Sequence, residues 1–285
     1  MKIAELLQQK TTLSFEVFPP KDDVPLDGIL ETLSRLYEFR PDFISCTYGA
    51  GGSKRGRNME VCNAVKKSGH LAMPHITCIG NSREDIKKTI KDYIDMGVEN
   101  ILALRGDFPD GWDNTKGDFS HASDLITLLS DEFPQLCVSA AGYPEKHLSA
   151  ASMQEDIAYL RLKQDCGARF IMTQLCHDVG AFERFLEQIR KAGITIPVIA
   201  GIMPVLVAEP IIRMTLFNGC SIPAELAAIL GKYQNAPESF TKAGMEYTVT
   251  QIHRFLATGV NGLHLYSLNK WKRLTEIIKA AGISN

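Results

Sequence analysis

No two cysteines in this chain stand at the spacing of a zinc ribbon or a dithiol redox centre. The seven, Cys46, Cys62, Cys78, Cys137, Cys166, Cys176 and Cys220, include no CxxC pair. An odd, unpaired set suits a reducing compartment. Cys46, Cys78 and Cys137 read as lying inside strands, where a free thiol packs as a small hydrophobe. No apolar run reaches the ~20 residues of a membrane helix, and the opening MKIAELLQQK is too polar for a secretory signal. A cytoplasmic protein with no membrane association is therefore expected. Charge of one sign is lacking too: 31 Lys and Arg face 33 Asp and Glu, which argues against a nucleic-acid surface. Also absent are a GxGxxG after the first strand, a P-loop, a Ser-His-Asp arrangement and a carboxylate–histidine metal cluster. Without a strong nucleophile or a metal, any difficult chemistry must be carried by a cofactor.

What is present is a regular alternation of strand and helix patterns. Expected strands are Leu13–Phe18, Phe43–Thr47, Ala72–Thr77, Asn100–Leu104, Leu136–Ala140, Arg169–Thr173, Pro197–Ala200 and Gly262–Leu265. Between them lie helical patterns at Leu26–Phe39, Arg57–Ser68, Arg83–Met96, Ala122–Asp131, Met153–Cys166, Val179–Ala192, Glu209–Leu216 and Phe240–Thr258, with Lys270–Ala280 last. Ser82 followed by Glu84 and Asp85 marks a helix start, with acids where the helix dipole favours them. Gly69, Gly97, Gly167 and Gly193 sit where a left-handed C-cap would end a helix before the next strand. Residues 216–236, with the short helical piece AELAAILG, read as an insertion between the seventh and eighth strands. Eight such units with no linker predict a single (β/α)8 TIM barrel over residues 1–285. An open doubly wound sheet is disfavoured by the missing glycine fingerprint.

Barrel enzymes keep their chemistry at the C-terminal ends of the strands. There this chain places Glu16, Thr47, His75, Arg105-Gly106-Asp107, Tyr143, Gln174, Gly201 and Tyr266. Singly, each has an ordinary explanation; His75 alone reads better as a satisfied core histidine. Together they describe a pocket. Glu16 is an isolated carboxylate in the apolar strand TTLSFEVF, which Pro19 and Pro20 then stop. Burial there should raise its pKa and keep it protonated. Glu16 and Asp107 come from strands on opposite sides of the barrel, a separation suited to acid–base work on a molecule held between them.

The segments SFEVFPPK, DFISCTYGAGGS, MPHITCIG, ILALRGDFP, SAAGYPEKH, MTQ, IAGIMPV and HLYSLNK follow one another in a characteristic order. In order and spacing the chain resembles the 5,10-methylenetetrahydrofolate reductase family, bacterial type, from about Thr12 to about Ala280. The resemblance implies a cytoplasmic flavoprotein of one-carbon metabolism and methionine biosynthesis. FAD would be reduced by NADH or NADPH and would then pass hydride, in a ping-pong cycle, to methylenetetrahydrofolate. It implies catalytic roles for Glu16, which would assist opening of the methylene bridge, and for Asp107, which would hold the pterin and tune the flavin. FAD contacts carried over are Thr47, His75, Leu104, Arg105, Gly106, Asp107, His121, Ala122, Tyr143, His147, Asp156 and Lys163. Substrate contacts are Glu16, Asp107, Gln174 and Tyr266, and a homo-oligomer is implied. Without the resemblance, Asp156 and Lys163 would read as a solvated helix face.

Several positions depart from the family pattern. Leu175-Cys176-His177 replaces an aromatic run, and His121 stands where a tyrosine is common. Pro210 and Met214 replace residues associated with nucleotide and folate stacking, while Tyr159 and Leu162 replace polar FAD contacts. These changes bear on the electron donor and on FAD affinity more than on the reaction. Alternatives are the same reductase fed by an iron–sulfur or zinc partner subunit, or a non-catalytic folate-binding assembly subunit. An unrelated barrel aldolase would want a Schiff-base lysine at a strand end, and none is there.

Overall fold

A computed structural model describes residues 1–48, 57–107 and 117–284. Gly49 to Ser53 of the TYGAGGS stretch and Phe108-Pro109 lie outside the described residues. Eight parallel strands close in sequence order into one barrel. They are β1 (Thr12–Val17), β2 (Phe43–Cys46), β3 (Leu71–Thr77), β4 (Asn100–Leu104), β5 (Cys137–Gly142), β6 (Phe170–Thr173), β7 (Val198–Ile202) and β8 (Gly262–Tyr266). A short α1 (Ile3–Leu6) precedes them. The crossovers carry α2 (Asp27–Tyr37), α3 (Asn58–Lys67), α4 (Arg83–Asp95), α5 (Ala122–Glu132), α6 (Met153–Asp165) and α7 (Val179–Lys191). Between β7 and β8 run α8 (Ala208–Phe217), α9 (Ala224–Tyr233) and α10 (Pro237–Ala257), and α11 (Trp271–Ala281) follows β8. This is the single (β/α)8 barrel expected, with the insertion where the sequence placed it.

Observed ends lie within about three residues of those expected, and the shifts have local causes. Helix α10 begins at Pro237 rather than Phe240, because proline supplies a preset φ at the first helical position. Strand β7 continues through Gly201 and Ile202, which pair with His264 and Leu265 of β8. Cys78 falls just past the end of β3 rather than inside it. The four glycines named as C-caps all have positive φ, from 77° at Gly97 to 116° at Gly167. Ser82 accepts from the Asp85 amide at 3.1 Å, as a helix cap should.

Strand alternation sorts side chains between two cores. Leu13, Phe15 and Val17 face outward into the layer shared with Leu33, Leu36, Ile277 and Ile278 of the surrounding helices. Ser14 and Glu16 face the barrel interior. That interior is apolar at its N-terminal end, where Phe43, Met73, Leu102, Cys137, Phe170 and Ile199 pack together. Helix α1 closes this end: Ile3 and Leu7 insert into the same cluster, and the Ile3 amide donates to Asn100 Oδ1 at 2.8 Å. Towards the C-terminal end the interior turns polar, with Ser14, Ser45, His75, Ser139 and His264 all buried. The barrel interior is therefore closed at its N-terminal end.

Candidate active site

Glu16 lies at the centre of the polar end. Parallel pairing sets it beside Ser45 on one flank and Tyr266 on the other. Its side chain is nearly buried, and removal from water pushes its carboxyl up to about 8, in the direction its apolar strand implied. His75 Nε2 stands 3.7 Å from Glu16 Oε2 and His264 Nε2 stands 4.0 Å away. Burial pushes both imidazoles down to about 3. These contacts therefore join neutral groups at neutral pH and are not ion pairs. His75 Nε2 has no hydrogen-bond partner among the described residues. His264 is fully enclosed, between Ser14 Oγ at 2.8 Å from Nδ1 and Ser45 Oγ at 3.0 Å from Nε2. Sequence reasoning passed over His264, since an isolated histidine in GLHLY carries no signal until the register brings Ser14 and Ser45 beside it.

Tyr266 reaches across the mouth. Its hydroxyl donates to the Thr173 carbonyl at 3.1 Å, with Gln174 Oε1 at 3.5 Å, so the two expected substrate residues are neighbours. Gly201 makes this placement feasible: a Cβ there would collide with both the Thr173 carbonyl and the Tyr266 ring. Gly201→Ala should displace Tyr266 and destabilise the fold by about 1–3 kcal/mol. Denaturant unfolding, together with a crystal structure of the variant, checks this; an unmoved tyrosine ring would refute it.

The other expected residues gather on the adjoining arc from β2 to β5. Thr47 follows β2, His75 is in β3, and Leu104 to Asp107 end β4 and continue past it. Gly106 has φ 89°, a conformation open to glycine, so the chain turns there between Arg105 and Asp107. Tyr143 and His147 meet edge to face at 4.6 Å in the loop after β5. Asp156 Oδ2 accepts from the His147 amide at 3.0 Å, tying α6 to that loop. Lys163 does not lie on a solvated face. Its Nζ donates to the Ala141 carbonyl at 3.0 Å beneath the end of β5. Burial pushes its pKa down; nearby Arg105 lowers it further, and Asp156 opposes both. The charges of Arg105, Asp107, Asp156 and Lys163 all act on His147, so these groups form one cluster. His121 is exposed at the start of α5, followed by half-buried Ala122, and its ring lies 6.3 Å from that of Tyr159.

Two neighbouring cations, Arg105 and the buried Lys163, beside an acceptor carboxylate, fit a diphosphate with an attached ribose. Gly106 lets backbone come close to a flat ring. The donor set thus suits a flavin dinucleotide. Not every departing residue lines this mouth: Leu175, Cys176 and His177 are all buried. Cys176 Sγ donates to Glu145 Oε1 at 3.3 Å, and Glu145 Oε2 accepts from the Ser221 amide at 2.7 Å, which stitches three loops together. No group of three or more metal-ligating side chains occurs among the described residues, and no described helix is long and apolar enough to cross a membrane.

The family described as methylenetetrahydrofolate reductase matches residues 2–282. A rice protein named probable methylenetetrahydrofolate reductase (NADH) is 35% identical over 302 residues, covering 99% of this chain and 51% of the relative. The Escherichia coli (strain K12) 5,10-methylenetetrahydrofolate reductase is 32% identical over 278 residues, covering 97% and 93%. This chain thus spans about half the length of the plant relatives and nearly all of the bacterial one. Among solved structures, an uncharacterized Clostridium thermocellum protein that binds two copies of 5-methyl-5,6,7,8-tetrahydrofolic acid superposes with a TM-score of 0.66 at 14% identity, covering 99% of this chain and 98% of that one, a likeness of fold. Over its whole length, the chain belongs to the methylenetetrahydrofolate reductase family.

Proposed function

We propose that this barrel reduces 5,10-methylenetetrahydrofolate to 5-methyltetrahydrofolate, using FAD charged by NADH or NADPH. The observation that carries the chemistry is the buried Glu16 carboxyl, still protonated at neutral pH. Opening the methylene bridge breaks the bond from the methylene carbon to N10 of the folate. Glu16 supplies the proton that N10 takes, leaving a cationic iminium at N5. Asp107, exposed on the opposite side of the mouth, faces that positive charge and holds the pterin. Gln174 and Tyr266, already neighbours, orient the substrate from the β6 and β8 side.

The cofactor arc is made by Thr47, His75, Leu104, Arg105, Gly106, Asp107, His121, Ala122, Tyr143, His147, Asp156 and Lys163. Arg105 and Lys163 would face its phosphates and Asp156 a ribose hydroxyl. The bound flavin would supply the hydride that completes the methyl group. The other cofactor residues come from β2 to α6 and the other substrate residues from β6, β8 and β1, with Asp107 at the junction serving both ligands. The names of the rice and Arabidopsis relatives carry NADH, which supports that donor.

Anaerobic spectroscopy of the purified protein tests the reading. A bound flavin should bleach with NADH or NADPH and recover on adding methylenetetrahydrofolate. Flavin that bleaches only with an artificial reductant would assign the donor role to a partner subunit. Protein that cannot be reconstituted with FAD would overturn the cofactor and favour a folate-binding role.

A further inference from the structure

We propose that His121 and Tyr159 stack the adenine ring of FAD between the start of α5 and the middle of α6, and that this contact sets a preference for FAD over FMN. The inference rests on FAD being the cofactor, and it concerns the half of that molecule which takes no part in hydride transfer. FMN ends at a single phosphate. Whatever distinguishes the two flavins must therefore touch the second phosphate, its ribose or the base. Arg105, Lys163 and Asp156 face the phosphates and a ribose, which leaves the base without a partner. A base needs a flat surface, since each one offers a π-face whatever groups line its edges.

Helix α6 carries such a surface. Asp156, Tyr159 and Lys163 stand at i, i+3 and i+7, so the tyrosine emerges on the same face as the residues assigned to ribose and diphosphate. Ile157 and Leu160 bury the other side of the helix. Tyr159 is 45% exposed, and its ring lies 6.3 Å from that of exposed His121 with only 19° between the two planes. Near-parallel planes let one flat ring lie against both. That separation is at the loose end of the about 4.5–7 Å found for packed aromatic pairs. Both rings stand on fixed supports. The His121 amide donates to Asp124 Oδ2 at 2.9 Å, and its carbonyl accepts from Cys78 Sγ at 3.6 Å. The Tyr159 hydroxyl donates to Glu155 Oε1 at 3.4 Å. A surface held in place before the ligand arrives loses little freedom on binding it. Tyrosine at 159 and leucine at 162, both exposed, also say how the base is read. They offer area where polar side chains would have read the edge of the base. Recognition should therefore demand a base while tolerating changes to its edge.

Calorimetric titration of apoprotein with FAD, with FMN and with the hypoxanthine analogue of FAD tests this. The unmodified protein should bind FAD at least about tenfold more tightly than FMN, and the analogue within about threefold of FAD. Tyr159→Ala and His121→Ala should each weaken FAD about tenfold, as loss of one base–aromatic stack does, and leave FMN within about twofold. Tyr159→Phe keeps the ring and should bind FAD like the unmodified protein. Unchanged FMN binding shows that each variant is folded and that the flavin end of the site is intact. Equal weakening of FAD and FMN would mean that the ring pair only braces α5 against α6, and would overturn the proposal. So would unchanged FAD affinity in Tyr159→Ala, or an analogue that binds no better than FMN. An unmodified apoprotein that takes up neither flavin would instead overturn the cofactor reading itself.

Discussion

Replacing Glu16 by glutamine should cut the transfer of hydride to methylenetetrahydrofolate by about 10²- to 10⁴-fold, the range that a positioned general acid contributes. Flavin reduction by the nucleotide should stay within a few-fold of its original rate, because that half-reaction needs no proton on N10. The amide is nearly isosteric with the acid, so packing among His75, His264 and Tyr266 should survive. Stopped-flow absorbance of each half-reaction separates the two effects. Equal losses in both would remove Glu16 from the acid role. The pH dependence has a definite sign. Burial pushes the carboxyl up to about 8, and in the proposed role its protonated form acts, so the folate half-reaction should hold at neutral pH and fall as pH rises through about 8. Glu16→Gln should lack that fall.

The second large effect is expected at the paired cations. Arg105→Ala and Lys163→Met each remove a charge that would face the flavin diphosphate. A charge-assisted hydrogen bond in such a setting is worth about 1.5–3 kcal/mol, or roughly 10- to 100-fold in dissociation constant. Fluorescence titration of apoprotein with FAD reads this directly. Lys163 also donates to the Ala141 carbonyl, so its loss should loosen the end of β5 slightly, whereas Arg105→Ala leaves that contact in place. Weakened FAD binding in both variants with little change in unfolding would support the assigned arc. Unchanged affinity in both would require the cofactor to lie elsewhere on the rim. Because the Arg105 charge acts on Lys163, the double variant should be less than additive.

The barrel was readable because each strand carries an apolar run of the right length and many of the helices end in a glycine or begin on a cap, as α4, α6 and α7 do at Ser82, Ser152 and Asp178. Its order needs nothing beyond local patterning. The strand-end acid was readable for the same reason: a carboxylate inside TTLSFEVF has no ordinary packing role. Lys163 was harder, because helix periodicity says which residues share a face but not that a strand end lies within reach of one of them. His264 was invisible to pattern alone. Its meaning depends on the registers Ser14 to His264 and Glu16 to Ser45, which bring Ser14 and Ser45 to the same ring from the next two strands around the wall, and those are facts of closure. Gly201 likewise reads as a small residue in a strand until Tyr266 is seen occupying the space a side chain would need. Leu175, Cys176 and His177 depart from the family pattern yet are buried, so their changes bear on loop packing before they bear on any ligand.

Helix α1, with Ile3 and Leu7 seated among Phe43, Phe170 and Ile199, stoppers the far end of the barrel. A vessel corked at its base has one doorway for everything that enters and leaves. A spent molecule that lingers there blocks the next arrival, whichever kind it is. Turnover then depends as much on how readily each guest departs as on how tightly it is received, and tight holding of either product would throttle the traffic of both.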